Sequence, residues 1–356
     1  MHDYLRLEVV GKRQETPTTV TLSLRPCDGP VEYQAGQFLT FLFDKLSARP
    51  IRRSYSLSSC PGVDADLQVT VQKQVNGLAS RFLHDRVVPG DFLVSLPPAG
   101  KFVLPGEVPP QLVLFGGGSG VTPLFGLLKD VLHHHPETRV LMLDANRNEE
   151  HIIFRDILTQ YAVGWPERFS LRHFLSMPVK RLSALDQELG PAIVRWGRLS
   201  NAIMEQILDD FGRQDPANTL FYLCGPPALL LKAREVLGYL GFNEDQVLRE
   251  LFTLRPPYRP KAERYPNAIV RLEQHGEIYR FPVPAGQTIL EAAEAAGLSL
   301  PYSCRSGSCT TCIARCLEGR VEMFTPDGRI DSHTFGGEAL TCVGYPETEE
   351  VTLRIP

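Results

Sequence analysis

Four cysteines near the end of the chain constrain its fold more than any other feature. Cys304, Cys309 and Cys312 are spaced Cys-x4-Cys-x2-Cys, and Cys342 follows well downstream. This is the plant-type spacing for a [2Fe–2S] cluster, in which one tight loop supplies three thiolates and a distant segment the fourth. The residues between them, Arg305-Ser306-Gly307-Ser308 and Thr310-Thr311, are mostly small. They let the backbone wrap closely, so that its N–H groups can point at sulfur. A structural zinc site is the alternative, although zinc sites more often pair two Cys-x2-Cys units. Cys316 reads as a buried thiol and not a ligand.

Composition sets the frame. A chain of 356 residues suggests two or three domains. With 43% hydrophobic and 22% charged residues it is neither disordered nor coiled coil. The longest apolar runs, such as Phe38 to Phe43, fall far short of the ~20 residues a membrane span needs. The start, Met1-His2-Asp3-Tyr4, shows no signal-peptide pattern, so a cytoplasmic location is expected, with no membrane partner. Clustered cysteines in such a chain favour metal binding over disulfides. The net charge of −4 is too small to imply a nucleic-acid partner. From Asn267 onward, however, 12 acidic residues face 7 arginines and no lysine. That acidic module suits a basic docking face on a partner protein.

Three further regions precede it. The first ~105 residues hold short alternating segments, Val20 to Leu24, Phe38 to Leu42 and Leu67 to Val71, punctuated by Gly36, Gly62, Gly90 and Gly100. They predict an antiparallel sandwich or barrel with one helix near Ala79 to Asp85. After Gly106-Glu-Val-Pro-Pro110 the pattern becomes strand then helix. Strands are expected at Leu112 to Phe115, Val140 to Leu143, Phe169 to Leu175 and Leu220 to Leu223. Helices are expected to about His133, near 149–160 and to about Leu240. Alternation of this kind implies a parallel, doubly wound α/β sheet. A proline-rich tether is expected from Arg255 to Pro266. Beyond it, Ala268 to Leu272 and Glu277 to Val283 read as a hairpin, and Thr288 to Ala296 as an amphipathic helix. The domain boundaries follow as 1–107, 108–252, a linker at 253–266, and 267–356.

Pro301-Tyr302-Ser303-Cys304 and Glu318-Gly319-Arg320-Val321, set around the cysteines, make the last ~90 residues resemble a plant-type ferredoxin domain of β-grasp fold. Arg53-Ser54-Tyr55-Ser56 resembles the Arg-x-Tyr-Ser flavin motif of the ferredoxin–NADP reductase superfamily. An aromatic ring can pack on the isoalloxazine, an arginine can pair with phosphate, and a hydroxyl can bond the flavin edge. A barrel strand carrying Tyr55 in its core is the plain alternative. By the same resemblance Val71, Lys73 and Gly77-Leu78-Ala79-Ser80 meet the ribityl chain and pyrophosphate, the last four at a helix start suited to an anion. FAD is favoured over FMN.

Gly116-Gly117-Gly118-Ser119-Gly120-Val121-Thr122-Pro123 lies between a strand and a helix. It has the spacing Gly-x-Gly-x-x-Pro and not that of Rossmann dehydrogenases. With Cys224-Gly225-Pro226 it matches the nicotinamide-nucleotide motifs of the superfamily. The resemblance places Gly118, Ser119, Gly120, Gly225 and Pro226 on the nucleotide and puts Thr122 and Cys224 beside the nicotinamide. Tyr55 and Ser56 then stand at the flavin side of the reacting pair. Arg147, after the second α/β strand, suits a 2′-phosphate or stacks on adenine, whereas Asp144 suits an unphosphorylated ribose. NADH and NADPH both remain open. His133-His134-His135 before Pro136 reads as a solvated helix cap and not a metal site.

The motif order, flavin, nicotinamide, iron–sulfur, resembles the reductase components of multicomponent oxygenases of the phenylacetyl-CoA epoxidase type. That resemblance implies an enzyme passing electrons from NAD(P)H through FAD to the cluster and on to an oxygenase or hydroxylase. The alternatives are another acceptor, such as a hybrid-cluster protein, a desaturase or free flavin, or a redox-sensing module without turnover.

Overall fold

The structure is a computed structural model. It describes residues 4–44, 46, 51–197, 199–211, 216–252, 260–274, 276–298, 300–302, 305, 307, 311–325, 328–333 and 335–355. The chain forms two compact units, one built from residues 4–98 and 102–253, the other from residues 99–101 and the chain after 253. Among the described residues no helix is long and apolar enough to cross a membrane.

The first unit opens with strands β1 (Leu5–Thr16), β2 (Thr19–Pro26), β3 (Phe38–Phe43), β4 (Ile51–Ser56) and β5 (Leu67–Gln72), helix α1 (Leu78–Asp85) and strand β6 (Phe92–Ser95). They form one antiparallel sheet in the order β4-β3-β6-β1-β2-β5. Period-two alternation drives it: Leu7, Val9, Val20, Leu22, Leu24, Val69 and Val71 all turn inward, fully buried. The chain beyond β4 then returns to the opposite edge. Leu57 bridges Val69, and Ser58 N–H donates to the Gln68 carbonyl. This closes the sheet on itself and makes it barrel-like.

The second part is an alternating α/β array. It comprises β7 (Gln111–Gly117), α2 (Val121–His134), β8 (Arg139–Asn146), α3 (Arg155–Gly164), β9 (Phe169–Leu175), α4 (Leu182–Leu189), β10 (Ile193–Trp196), α5 (Asn201–Phe211), β11 (Thr219–Cys224), α6 (Pro227–Tyr239) and β12 (Val247–Glu250). The sheet is wholly parallel, in the order β10-β9-β8-β7-β11-β12. Both its faces are covered, so its strands are continuous apolar runs. Leu112, Leu114, Val140 and Met142 pack on one face, and Val113, Phe115, Leu141 and Leu143 on the other.

The helix expected near 149–160 is broken. Residues Glu149–His151 form a 3-10 turn, and Phe154 takes the left-handed region, φ 61°. That is costly for a bulky side chain. It lets the Phe154 ring stack on Phe125 at 4.3 Å before the helix restarts at Arg155. Elements α4, β10, α5 and β12 were not expected from the sequence.

Helix α2 lies between the two parts and is buried along most of its length. At Gly126 an added Cβ would stand 3.1 Å from the Leu57 carbonyl and 3.2 Å from that of Ser59, so helix and barrel backbones meet there without a side chain between them. One turn on, Lys129 Nζ, whose side chain is 2% exposed, pairs with Asp64 Oδ2 at 2.5 Å. The orphan carbonyls at the end of α2 accept from one guanidinium: Arg168 donates to Val131, Leu132 and His135.

The second unit contains β13 (Ala268–Gln274), β14 (Glu277–Val283), α7 (Ile289–Ala295), β15 (Ile313–Glu318), β16 (Val321–Thr325), β17 (Gly328–Asp331), β18 (Glu338–Leu340), β19 (Gly344–Pro346) and β20 (Glu350–Arg354). A five-stranded mixed sheet runs β14-β13-β20-β15-β18, and a three-stranded one β17-β16-β19. Thr288 and Glu291 close a capping box on α7, each side chain accepting from the other's backbone N–H at 3.1–3.2 Å. Of the stretch expected as a tether, residues 253–259 lie outside the described residues, and 260–266 pack onto this unit. The Tyr265 hydroxyl and the Arg264 guanidinium both donate to the buried Glu322 carboxylate, and Tyr265 lies on Tyr345, 5.3 Å between ring centres.

Lys129 and Asp64 are not equivalent partners. Asp64→Ala strands a buried ammonium and is expected to destabilise the first unit by about 3–5 kcal/mol. Lys129→Met removes the buried charge itself and is expected to cost clearly less. Urea midpoints of the two variants check the order.

Candidate active site and cluster site

A parallel sheet whose strand order reverses leaves a crevice at the C-terminal ends of the strands on either side of the reversal. Here the reversal lies between β7 and β11. Strand register sets a row across five adjacent strands: His173 on β9, Asp144 on β8, Gly116 on β7, Cys224 on β11 and Glu250 on β12. The two loops leaving β7 and β11 touch backbone to backbone. A Cβ on Gly120 would sit 2.1 Å from the Cys224 carbonyl oxygen, one on Gly117 2.8 Å from Pro226, and one on Gly225 3.1 Å from the Gly117 nitrogen. Glycine at these positions is a steric requirement. It gives the start of α2 a floor without side chains, as a pyrophosphate would need.

Ser56, the last residue of β4, reaches this row from the barrel. Its Oγ donates to Glu250 Oε2 at 3.0 Å. Glu250 is partly buried as a residue, but protein surrounds its carboxylate. That desolvation pushes its pKa up to about 7, against the pull of the Ser56 hydroxyl. Burial also raises the Cys224 thiol well above its ordinary range, with the Glu250 charge adding to the effect, so Cys224 is a thiol and not a nucleophilic thiolate. Sequence reasoning missed Glu250. The available signal was the short run Val247-Leu248-Arg249-Glu250 after α6, where another parallel strand was due.

The other expected residues divide. Tyr55 is half-buried beside Phe41, ring centres 6.0 Å apart, and burial raises its phenol pKa. Arg53 is exposed and donates to the Arg52 carbonyl. Gly118 and Ser119 are half-buried in the turn before α2. The Thr122 hydroxyl donates to the Ser119 carbonyl at 2.7 Å, which fixes that turn. The Val71 side chain is barrel core, as are those of Ala79 and Ser80. The Ser80 hydroxyl accepts from the Gln74 N–H and donates to the Gly77 carbonyl, closing the loop before α1, while Leu78 is exposed. Lys73 pairs with Asp85 at 3.0 Å. Arg147 is exposed, its carbonyl accepting from the Met177 N–H. Asp144 corrects the sequence reading. It is 1% exposed, accepts from Asn146 Nδ2 at 2.7 Å and lies 3.1 Å from His173 Nδ1. It holds the strand end from within and does not present a carboxylate to a ribose.

In the second unit Cys312 and Cys342 are both buried, 1% and 5% exposed. Pairing of β15 with β18 brings them to one end, and Thr341 binds the Cys312 carbonyl through both its N–H and its hydroxyl. Before Cys312 the described residues Arg305 and Gly307 both take positive φ, 53° and 74°. A Cβ on Gly307 would stand 3.0 Å from Val343 Cγ2 and 3.3 Å from the Thr325 backbone. Gly307 is thus seated against the segment that carries Cys342. Cys304 and Cys309 lie outside the described residues. A thiolate donor set on a glycine-tight loop fits an iron–sulfur cluster. Cys316 is half-buried on β15, its Sγ bonded to the Glu318 and Gly319 carbonyls.

Comparison with known proteins agrees with this geometry. Residues 114–235 match the oxidoreductase NAD-binding domain, and 272–347 the 2Fe-2S iron-sulfur cluster binding domain. The chain is an electron-transfer oxidoreductase with an NAD-binding domain and a 2Fe–2S domain. It is 29% identical over 331 residues to the ferredoxin reductase component of 3-ketosteroid-9-alpha-monooxygenase from Rhodococcus rhodochrous, covering 90% of this chain and 88% of that one. It is 26% identical to a component protein of 1,2-phenylacetyl-CoA epoxidase from Escherichia coli, over 99% and 98% of the two chains. The fold matches phthalate dioxygenase reductase, with a TM-score of 0.58, 21% identity and 99% and 98% coverage.

Two outcomes are expected. The folded pKa of Glu250 lies above its ordinary 4.5, so its contribution to stability is present below that value and is lost as pH rises through about 7. The melting temperature of the parent relative to Glu250→Gln therefore falls between pH 5 and 8, by no more than roughly 3 kcal/mol in stability. A flat difference would show an ordinary carboxylate. Gly307→Val sets a branched side chain at positive φ against Val343, and is expected to lower iron per chain and visible cluster absorbance together.

Proposed function

We propose that this reductase oxidises NAD(P)H, holds FAD in its barrel and a 2Fe–2S cluster on Cys304, Cys309, Cys312 and Cys342, and delivers electrons one at a time to a partner oxygenase or hydroxylase. The observation that carries the reading is the hydrogen bond from Ser56 to Glu250. It joins the end of the flavin-motif strand to the strand ends flanking the nucleotide crevice. When bound, FAD supplies the exchange between a hydride and single electrons that a one-electron cluster requires.

The residues of the chain have positional roles. Arg53, exposed at the barrel mouth, is placed for phosphate, and Tyr55 offers its ring face to the isoalloxazine. Val71, Lys73 and Gly77 to Ser80 contribute main-chain groups, since three of their side chains are core and Lys73 is paired with Asp85. Gly118, Ser119, Gly120, Gly225 and Pro226 line the nucleotide floor, and Thr122 fixes it through Ser119. The Cys224 thiol and Glu250 bound the space for the nicotinamide next to Ser56. With a pKa near 7, Glu250 can hold or release a proton there, bonded to Ser56 Oγ. Arg147 faces the adenosine end. The crevice works by proximity, laying the nicotinamide flat and excluding water from the hydride path. Four chain segments support this organisation: 1–107 for flavin, 108–252 for the nucleotide, 253–266 as connector and 267–356 for the cluster. The relatives, proteins of a monooxygenase and of an epoxidase matched over nearly their whole lengths, support the oxygenase acceptor.

Cys342→Ser separates the steps. Reduction of ferricyanide by NAD(P)H is expected to persist at close to the parent rate, and reduction of cytochrome c to fall at least about tenfold. Equal loss of both, with flavin still bound, would show that electrons do not pass through the cluster.

A further inference from the structure

The far end of α2 carries side chains that the reductase reading does not use. Asp130 and His134 stand one turn apart, with His134 Nδ1 2.8 Å from Asp130 Oδ1. The loop after β4 rises to meet them. Cys60 opens a tight turn whose carbonyl accepts from the N–H groups of Val63 and Asp64. Gly62 follows at φ 76°, and a Cβ there would come within 3.3 Å of His134 Nε2. The imidazole therefore sits over the Cys60 turn. One donor atom each from Cys60, Asp130 and His134 lie within 4.8 Å of one another.

The histidine is not needed as a helix cap. Arg168 already donates to the Val131, Leu132 and His135 carbonyls at the end of α2, and His133 packs edge-on to Trp165 at 5.2 Å. The nearby Lys129 ammonium is neutralised by Asp64. Cys60 and Asp130 are therefore left to balance a dication.

We propose that Cys60, Asp130 and His134 form a zinc(II) site, completed by water, that ties the end of α2 to the barrel loop after the flavin strand. One sulfur, one imidazole nitrogen and one carboxylate oxygen are a borderline-soft donor set, suited to zinc and unsuited to calcium or magnesium. Bonds of roughly 2.0–2.3 Å put tetrahedral donors under about 4 Å apart, so the trio needs only a small closure. The metal replaces the thiol proton, which leaves to solvent. The sulfur is fully buried, while the His134 and Asp130 side chains are 42% and 24% exposed, which provides the route of entry. The site is remote in role from the nucleotide crevice, and its existence does not depend on which acceptor the reductase serves.

The test uses the holoprotein, with flavin and cluster loaded, stripped by a mild chelator and titrated with zinc sulfate. Zinc and iron per chain are measured after desalting, together with the melting temperature. The parent is expected to retain one zinc per chain with iron unchanged, and to melt several degrees higher with zinc. Cys60→Ser and His134→Gln should each weaken retention at least tenfold and abolish the thermal shift, while Cys27→Ser keeps both. Equal zinc retention in the parent and in the Cys60→Ser, His134→Gln double variant would overturn the proposal, as would zinc uptake that tracks iron loss.

Discussion

At the strand-order reversal between β7 and β11, two loops must approach until no side chain fits between them. Gly120 against the Cys224 carbonyl is the tightest point of that approach. Everything functional in the first unit is arranged around it. The parallel register puts Cys224 beside Gly116 and Glu250 beside Cys224, and the barrel adds Ser56 to the end of the row. Helix α2 starts at this crevice and runs along the barrel, which it contacts at Gly126 and Lys129. One element thus fixes both the glycine turn and its distance from the barrel.

The electrostatics follow from burial. Burial raises the pKa of a carboxyl and of a thiol on neighbouring strand ends, and the Glu250 charge raises the Cys224 thiol further. At neutral pH the Cys224 thiol is therefore uncharged, while Glu250 is poised between its two forms. In the second unit the buried Glu322 is the reverse case. It is accompanied by the Arg264 guanidinium and the Tyr265 hydroxyl, and the three together anchor the incoming chain to the ferredoxin-like sheets.

Features that depend on neighbours in the chain were legible. The glycine turn before α2, the strand β9 and the hairpin β13–β14 are local patterns, and the structure places them at or within a few residues of the expected bounds. Features created by pairing between distant segments were not. Glu250 belongs to a four-residue strand without periodicity, and its meaning comes from register with Cys224. Asp144 reads as a ribose-facing acid only if β8 ends before it. The strand continues to Asn146, so the carboxylate is drawn under the sheet. The flavin motif points to Ser80 and Lys73, whose side chains are taken up by the Gln74–Gly77 loop and by Asp85. The break before α3 comes from the attraction of Phe154 to Phe125, a contact that helical periodicity does not encode.

Strand β20 sits at the centre of its five-stranded sheet, parallel to β13 on one side and antiparallel to β15 on the other. The edge pairs β13–β14 and β15–β18 have no common scaffold until it is inserted. On a ribosome the cysteine loop therefore emerges well before the strand that unites its supports, and iron delivered early meets a pliable chain instead of a shaped pocket. By the order of the strands alone, the support for the metal centre is complete only once β20 has been made.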